Sequence, residues 1–162
     1  MEKENNENSG SRKITELMLK EHARINQKIN NLQDNIGNSS EELVVLLREF
    51  KQNLVEHFNL EEEAIFDLYN KISDEDEIAD TFELMQEHGE LLGNIKHIEN
   101  ELKKGKEYVP KNNLIVLKEK IFQHIKFENN TFYKELDEKL DEQEKEELIR
   151  HLMNKKSNDE NK

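Results

Sequence analysis

The chain has 162 residues, which is about the size of one domain, and its 24 Lys and Arg against 37 Asp and Glu give a formal net charge of −13. This acidity disfavours binding to nucleic acids and to anionic membrane surfaces, and no apolar run approaches the roughly 20 residues that span a bilayer. The absence of cysteine excludes disulfides, thiolate zinc sites and cysteine-ligated iron–sulfur clusters, and the lack of a signal peptide makes the cytoplasm the expected compartment.

One proline and five glycines leave little to interrupt helices, and the helix-favouring residues Lys, Glu and Leu are abundant. We therefore predict an all-α fold, an up-down-up-down four-helix bundle followed by a short C-terminal helix. The bundle domain is predicted over residues 11–154, between polar tails at 1–10 and 155–162 that we expect to be disordered. The predicted helices run over about 11–33, 39–71, 73–104, 111–137 and 141–153.

Each of the four long helices carries an apolar stripe whose members are spaced by threes and fours, as an amphipathic helix requires. The stripe of the third helix, for example, is predicted to place Phe82, Met85 and Leu92 in the core. Histidines and glutamates interrupt these stripes at positions where a hydrophobe is expected. We refer to them as the six polar stripe residues: His22, His57, Glu61, His88, His124 and Glu128.

The six polar stripe residues are predicted to lie at one height. Short connections make consecutive helices antiparallel neighbours, so the height of each residue can be counted from the loops. His88 lies about 16 residues before the predicted end of the third helix, and His124 about 13 residues after the start of the fourth. The counted heights of Glu61 and His88, on the second and third helices, agree fairly well. Those of His22 and His57, on the first and second helices, agree least well. All six are therefore compatible with one layer near the middle of the bundle.

Four imidazoles and two carboxylates in a core indicate metal ligation, because an unpaired buried charge costs several kcal/mol. His57 with Glu61, and His124 with Glu128, form H-x-x-x-E pairs that each share one helix face. Imidazole with carboxylate suits Fe, Mn, Zn or Cu, and six ligands from four helices favour two metals over one structural zinc. The alternatives are a structural or partner-binding bundle, in which the histidines are hydrogen-bonded core residues, and a bundle that binds zinc.

The ferritin-like di-iron bundles use E-x-x-H, which is absent from this chain. From Ile14 to Leu136 the sequence instead resembles the hemerythrin-like (HHE cation-binding) family. The resemblance rests on the motifs LKEHARI, EHFNLEEEAIF, MQEHGELL and QHIKFENNTFY, which contain the six polar stripe residues.

This resemblance implies a non-haem di-iron centre, in which Glu61, Glu128 and an oxo or hydroxo group bridge two Fe ions and the four histidines are terminal ligands. Mn and Zn are the other candidate metals. Oxygen-carrying hemerythrins have H-x-x-x-H on the third helix, whereas Leu92 follows His88 here. The centre is thus more similar to the four-histidine, two-glutamate type of the iron-centre repair proteins and the F-box iron sensor domain.

A centre of this type implies open positions where O2, NO or peroxide would bind. The expected function is binding or sensing of O2 or NO, or the handling of iron under oxidative or nitrosative stress. A di-iron enzyme that reduces NO or peroxide is the alternative, although the sequence shows no dedicated acid or base. The sequence indicates no protein partner.

Several other polar residues are predicted to face solvent. Two of them, Glu56 and Glu87, each directly precede a polar stripe histidine, so the alternative for these two is a hydrogen-bonding role beside the site. Tyr133 is a further candidate as a hydrogen-bonding or redox neighbour of the site. The residues predicted to face solvent are His97, His151, Glu56, Glu62, Glu63 and Glu87.

Overall fold

The computed structural model describes residues 13–104 and 111–160, and within these ranges the chain is helical without strands. The all-α prediction is therefore confirmed. The predicted tail at 1–10 lies outside the described residues. In chain order, the elements are α1 (Ile14–Asp34), α2 (Ser40–Leu60), the first π-helical segment (Glu61–Phe66), α3 (Asp67–Ile72), α4 (Glu75–Lys103), α5 (Lys111–Phe127), the second π-helical segment (Glu128–Phe132), α6 (Tyr133–Lys139) and α7 (Glu142–Glu160).

Four long helices make up the bundle. The helix that begins with α2 continues without a break through the first π-helical segment into α3, and the one that begins with α5 continues through the second into α6. α2 packs against α1 and α4, and α5 packs against α4 and α1, so that the four helices close around a common core. No helix in the described ranges is long and apolar enough to span a bilayer.

The core consists of two apolar clusters, with the polar stripe residues between them. One cluster contains the second half of α1 and the first part of α2, for example Ile29 and Leu47. The other contains the start of α1 and parts of α3, α6 and α7, for example Met18, Tyr69 and Leu152. Burial of these apolar side chains stabilises the bundle on both sides of a polar layer.

The buried face of α4 differs from the predicted stripe in its first half. Phe82 and Met85 are 64% and 40% exposed, whereas Thr81 and Leu84 are buried. The prediction that Phe82 and Met85 lie in the core is therefore wrong. The predicted stripe is one position off, because the residue that faces the core there is Thr81, which an apolar pattern does not include. Its burial is tolerated because its hydroxyl donates a hydrogen bond to Asn70 Oδ1 at 2.7 Å.

The C-terminal helix is longer than predicted. α7 continues to Glu160, although the sequence predicts a disordered tail from residue 155. The apolar pattern of the sequence stops before this last stretch, which is why periodicity alone misses it. Charged side chains stabilise the stretch instead, since Lys155 pairs with Glu63 and Lys156 pairs with Glu21.

The first turn of α1 is capped by a residue from the other end of the bundle domain. Asp137 accepts hydrogen bonds from the backbone N–H groups of Ile14 at 2.9 Å and Thr15 at 3.2 Å, and from the Thr15 hydroxyl at 2.5 Å. The residue that precedes the helix, Lys13, contributes no side-chain cap. The carboxylate therefore satisfies N–H groups that a helix start leaves free, and it joins α6 to α1.

Replacing this cap tests its contribution to stability. Asp137→Ala should lower the free energy of unfolding by about 1–2 kcal/mol, the usual cost of losing a good N-cap. Glu138→Ala is the control, because Glu138 is the next residue and is exposed. Urea denaturation of the metal-free proteins measures both changes. Equal losses in the two variants would contradict the capping role.

Glu99 joins α4 to α2 through basic side chains. Its Oε1 lies 3.2 Å from Arg48 Nε and 3.2 Å from Lys103 Nζ, and its Oε2 lies 3.6 Å from Lys51 Nζ. Hydrogen bonds from Arg48 and Lys103 hold the pKa of Glu99 below its ordinary value. The carboxylate is therefore more readily ionised in the folded protein than in the unfolded chain.

Glu99→Gln should lower the free energy of unfolding by about 0.5–1 kcal/mol near pH 7, a small effect because the basic partners are partly exposed and screened. Since the pKa of Glu99 is lowered by folding, its contribution is present above the ordinary Glu value of about 4.3 and is lost as the pH falls through the folded value. Urea denaturation curves of the parent and the variant should thus differ at neutral pH and converge in acid. The control variant Glu90→Gln changes an exposed residue on the same helix. Its free energy of unfolding should equal that of the parent at neutral pH and in acid.

Candidate metal centre

The six polar stripe residues meet in one layer, and none of them is more than 5% exposed. The four histidines come from α1, α2, α4 and α5, and each glutamate is the first residue of a π-helical segment. Their ligand atoms form two groups, in each of which all atoms lie within 4.8 Å of one another. The first cluster is His22, His57, Glu61 and Glu128, and the second cluster is Glu61, His88, His124 and Glu128.

The histidines face each other in pairs. Nε2 of His22 lies 3.1 Å from Nε2 of His57, and Nε2 of His88 lies 3.1 Å from Nε2 of His124. Two nitrogens that bind one cation at about 2.1 Å and at right angles to each other are about 3.0 Å apart. The spacing within each pair therefore fits two ligands of a single metal ion.

Each carboxylate lies between the two histidine pairs. Glu61 Oε1 is 2.8 Å from His57 Nε2, and its Oε2 is 3.1 Å from His88 Nε2. Glu128 Oε1 is 3.0 Å from His124 Nε2 and 3.6 Å from His22 Nε2. Both glutamates thus contact at least one histidine of each pair, which is the position expected of a carboxylate that bridges two cations.

The electrostatics of this layer also fit bound cations. Burial opposes the charge of both glutamates. Nearby histidines nevertheless hold the pKa of Glu61 well below its usual range, whereas burial and the charge of Glu61 raise the pKa of Glu128 well above its usual range. Glu61 Oε2 and Glu128 Oε1 are buried and accept no well-formed hydrogen bond from the described residues. Buried oxygens of this kind need a partner, and a cation supplies one.

The part of the chain that contains the polar stripe residues matches a known protein family. A family model for the hemerythrin HHE cation-binding domain matches residues 13–136, which is more than half of the chain. The chain belongs to this family. The matched range contains all six polar stripe residues and ends before α7 begins. Neither a search of curated proteins nor a search of solved structures gave a match.

HHE domains bind metal cations, and the two buried clusters fit such a site. The resemblance predicted from the histidine and glutamate motifs is therefore confirmed at the level of the family.

The two glutamates of this HHE domain begin the two π-helical segments, a feature that the sequence analysis does not predict. In an α-helix, a residue five positions on points about 140° away from the first. The wider π-helical turn brings the fifth residue back towards the same face, and such segments are frequent at functional sites. In the second segment, this turn places Tyr133 beside Glu128.

Tyr133 connects the two carboxylates of the centre. Its hydroxyl donates to Glu61 Oε1 and shares this one proton with Glu128 Oε2, which lies 3.2 Å away. Tyr133 is fully buried, and burial together with the charges of Glu128 and Glu61 raises its pKa well above the ordinary value. The hydroxyl therefore stays neutral and acts as a donor that fixes the two carboxylates relative to each other.

Three of the four histidines are also held at their outer nitrogen, Nδ1, which lies on the side of the ring away from the facing Nε2 atoms. Nδ1 of His22 lies 2.7 Å from Asn129 Oδ1, and Nδ1 of His88 lies 2.8 Å from Glu62 Oε1. Hydrogen bonds of this kind fix the tautomer and the ring orientation of a ligand histidine. In each case the partner directly follows Glu128 or Glu61 in the chain.

The third outer contact comes from Glu87, whose Oε2 lies 2.5 Å from Nδ1 of His124 on the neighbouring helix. The prediction that Glu62 is only a surface charge is wrong. Glu87 is exposed, as predicted, and it also takes the alternative role of a hydrogen-bond partner in the layer. Both are partly exposed residues one position away from a polar stripe residue of their own helix, and each reaches a histidine of another helix. Periodicity within one helix does not report such cross-helix contacts. The predictions of solvent exposure for His97, His151, Glu56 and Glu63 are confirmed.

Two cavities each have a histidine of the polar layer in their wall. One of about 180 Å³ lies between α1 and α2 and is lined by His57 and Leu60, among others. Another of about 290 Å³ lies between α4 and α5, with His124, Leu91 and Phe127 in its wall. Each is several times the roughly 30 Å³ that a water molecule takes up in the liquid, so each has room for a small molecule beside one histidine of the layer.

Removing the Tyr133 hydroxyl tests its role in the centre. Tyr133→Phe should keep the fold and weaken metal binding about tenfold, because a group that orients metal ligands is lost. Tyr69→Phe is the matched control, since Tyr69 is also fully buried but its hydroxyl contacts Glu135 rather than the centre. Metal titration of both variants measures the difference. Equal affinity in the two variants would contradict a role for the Tyr133 hydroxyl.

Proposed function

We propose that this protein holds two iron ions, one in each cluster, and uses them to bind or sense O2 or NO, or to handle iron under oxidative or nitrosative stress. The observation that carries the proposal is the position of Glu61 and Glu128. Each of these glutamates contacts at least one histidine of the first pair and one of the second. Imidazole and carboxylate donors without thiolate suit non-haem iron among the first-row metals. Mn and Zn share this donor preference in part.

The donor count supports the binding of small ligands. Each cluster offers four ligand residues, two of which it shares with the other cluster. At the position four residues after His88, where a further histidine would extend the second cluster, Leu92 is half-buried against the apolar core. Bound iron would supply open coordination positions and a change of oxidation state, which is the chemistry that O2, NO and peroxide require.

The surrounding residues would keep such a site dry and rigid. Phe58 stacks on the ring of His88 with a centroid distance of 3.7 Å and an interplanar angle of 9°, and Phe66 stacks on it at 5.7 Å and 18°. Phe58 also contacts His124 edge-on at 5.9 Å. These rings fix the second histidine pair and exclude water from it. Electrostatic interactions inside the layer are strengthened as a result.

Anaerobic titration with ferrous iron tests the two-metal arrangement. The parent should bind two irons per chain. His88→Ala should bind one, because it removes a ligand of the second cluster only. Glu61→Gln combined with Glu128→Gln should bind neither tightly, because both clusters share these carboxylates. His97→Ala, an exposed histidine on the same helix as His88, should behave as the parent. One iron or none in the parent would contradict the proposal.

Small-ligand binding tests the functional part of the proposal. Azide added to the iron-loaded, air-oxidised protein should produce a new visible absorption band, and NO added to the ferrous protein should change its spectrum in proportion to the iron bound. The double glutamate variant should show neither change. Continuous consumption of NO or peroxide with a reductant would indicate the enzymatic alternative. A protein that takes up zinc but gives no coloured iron form would indicate the structural one.

A further inference from the structure

One ligand histidine differs from the other three at its outer nitrogen. Nδ1 of His22, His88 and His124 each lies within 2.8 Å of a side-chain oxygen. Nδ1 of His57 is buried and has no hydrogen-bond partner among the described residues. The carboxylate oxygen that comes within 4.0 Å of it is Oε2 of Glu21, on α1. Glu21 Oε2 therefore lies near Nδ1 of His57 but is too far away for a hydrogen bond.

Glu21 is held from its other side by α7. Its Oε1 pairs with Nζ of Lys156, and the exposed fractions of these side chains are 13% and 29%. One carboxylate thus stands between the end of the C-terminal helix and a ligand histidine, with one oxygen towards each. All three residues line the cavity between α1 and α2.

We propose that the end of α7 completes the first cluster, because Lys156 holds one oxygen of Glu21 in a position where the other, Oε2, accepts the Nδ1–H of His57. A histidine that binds a cation through Nε2 carries its remaining proton on Nδ1. That buried N–H then needs an acceptor. A movement of roughly 1 Å brings Glu21 Oε2 from 4.0 Å to hydrogen-bonding distance. This inference rests on the proposed metal-binding function.

Lys156 fixes the position of Glu21 through burial and charge. Without the lysine, Glu21 would be a mostly buried carboxylate that has lost its ion-pair partner, an arrangement that costs free energy. It would turn towards solvent and away from His57. α7 begins after the end of the range that matches the HHE family, so Lys156 contacts Glu21, a residue inside that range, from outside the matched domain.

Ferrous-iron titration of four variants tests the proposal. Glu21→Gln and Lys156→Gln should each weaken one of the two iron-binding steps about tenfold and leave the other unchanged, as expected for a residue that orients one ligand. Lys156→Arg keeps the charge and should retain parental affinity. Lys155→Gln is the matched control, because it breaks the neighbouring ion pair of α7, with Glu63, which does not reach a ligand histidine.

A spectroscopic readout separates positioning from a general loosening of the helix. In the protein loaded with Zn²⁺ as a diamagnetic probe, the His57 Nδ1–H should give a hydrogen-bonded proton resonance in the parent, Lys156→Arg and Lys155→Gln. The same resonance should be lost or shifted in Glu21→Gln and Lys156→Gln. Circular dichroism checks that all variants keep the helical fold.

The outcomes are distinguishable. If the parent binds two irons and both steps are unchanged in Glu21→Gln and Lys156→Gln, this inference is overturned while the two-metal function stands. An equal loss in Lys155→Gln would also overturn it, because the effect would then come from the docking of α7 as a whole. A parent that binds fewer than two irons would overturn the proposed function and this inference together.

Discussion

Glu61 and Glu128 are fully buried, and the rest of the bundle depends on how their charges are neutralised. Isolated carboxylates in an apolar core are strongly destabilising. Here they lie in a layer between two apolar clusters, with two histidine pairs and the Tyr133 hydroxyl around them. The opposite pKa shifts of the two glutamates mean that these partners favour the charge of Glu61 but do not offset the effects that oppose the charge of Glu128. Two cations would stabilise both in the ionised form, which links the metal content of the layer to its electrostatics.

The sequence predicts the composition of this layer well because a buried polar residue is such a strong anomaly on an apolar stripe. All six predicted residues lie in the layer, and the helices that carry them lie where the pattern places them. Prediction is poorer where the pattern contains no such anomaly. At Phe82 and Met85, hydrophobicity selected the wrong side of α4, because Thr81 is buried through a hydrogen bond that a stripe does not reveal.

Contacts between helices account for the remaining differences. The hydrogen bonds that Glu62 accepts from His88 and Glu87 accepts from His124 depend on how neighbouring helices are aligned, which no single helical pattern specifies. The π-helical turn that brings Tyr133 to Glu128 is likewise set by the packed structure rather than by composition. The last turns of α7 belong to the same class, since ion pairs with α1 and the first π-helical segment take the place of an apolar stripe. The first two kinds of contact orient the polar stripe residues, whereas the stripes only bring them to one height.

The most direct test of the two-metal account is the location of the metals themselves. Crystals grown with ferrous iron and measured at the iron absorption edge should show two anomalous peaks in the layer, about 3.5–4 Å apart, as in other two-metal sites. One peak should lie between His22 and His57 and the other between His88 and His124, with both glutamates contacting both. A single peak, or iron bound only at the acidic surface, would contradict the account.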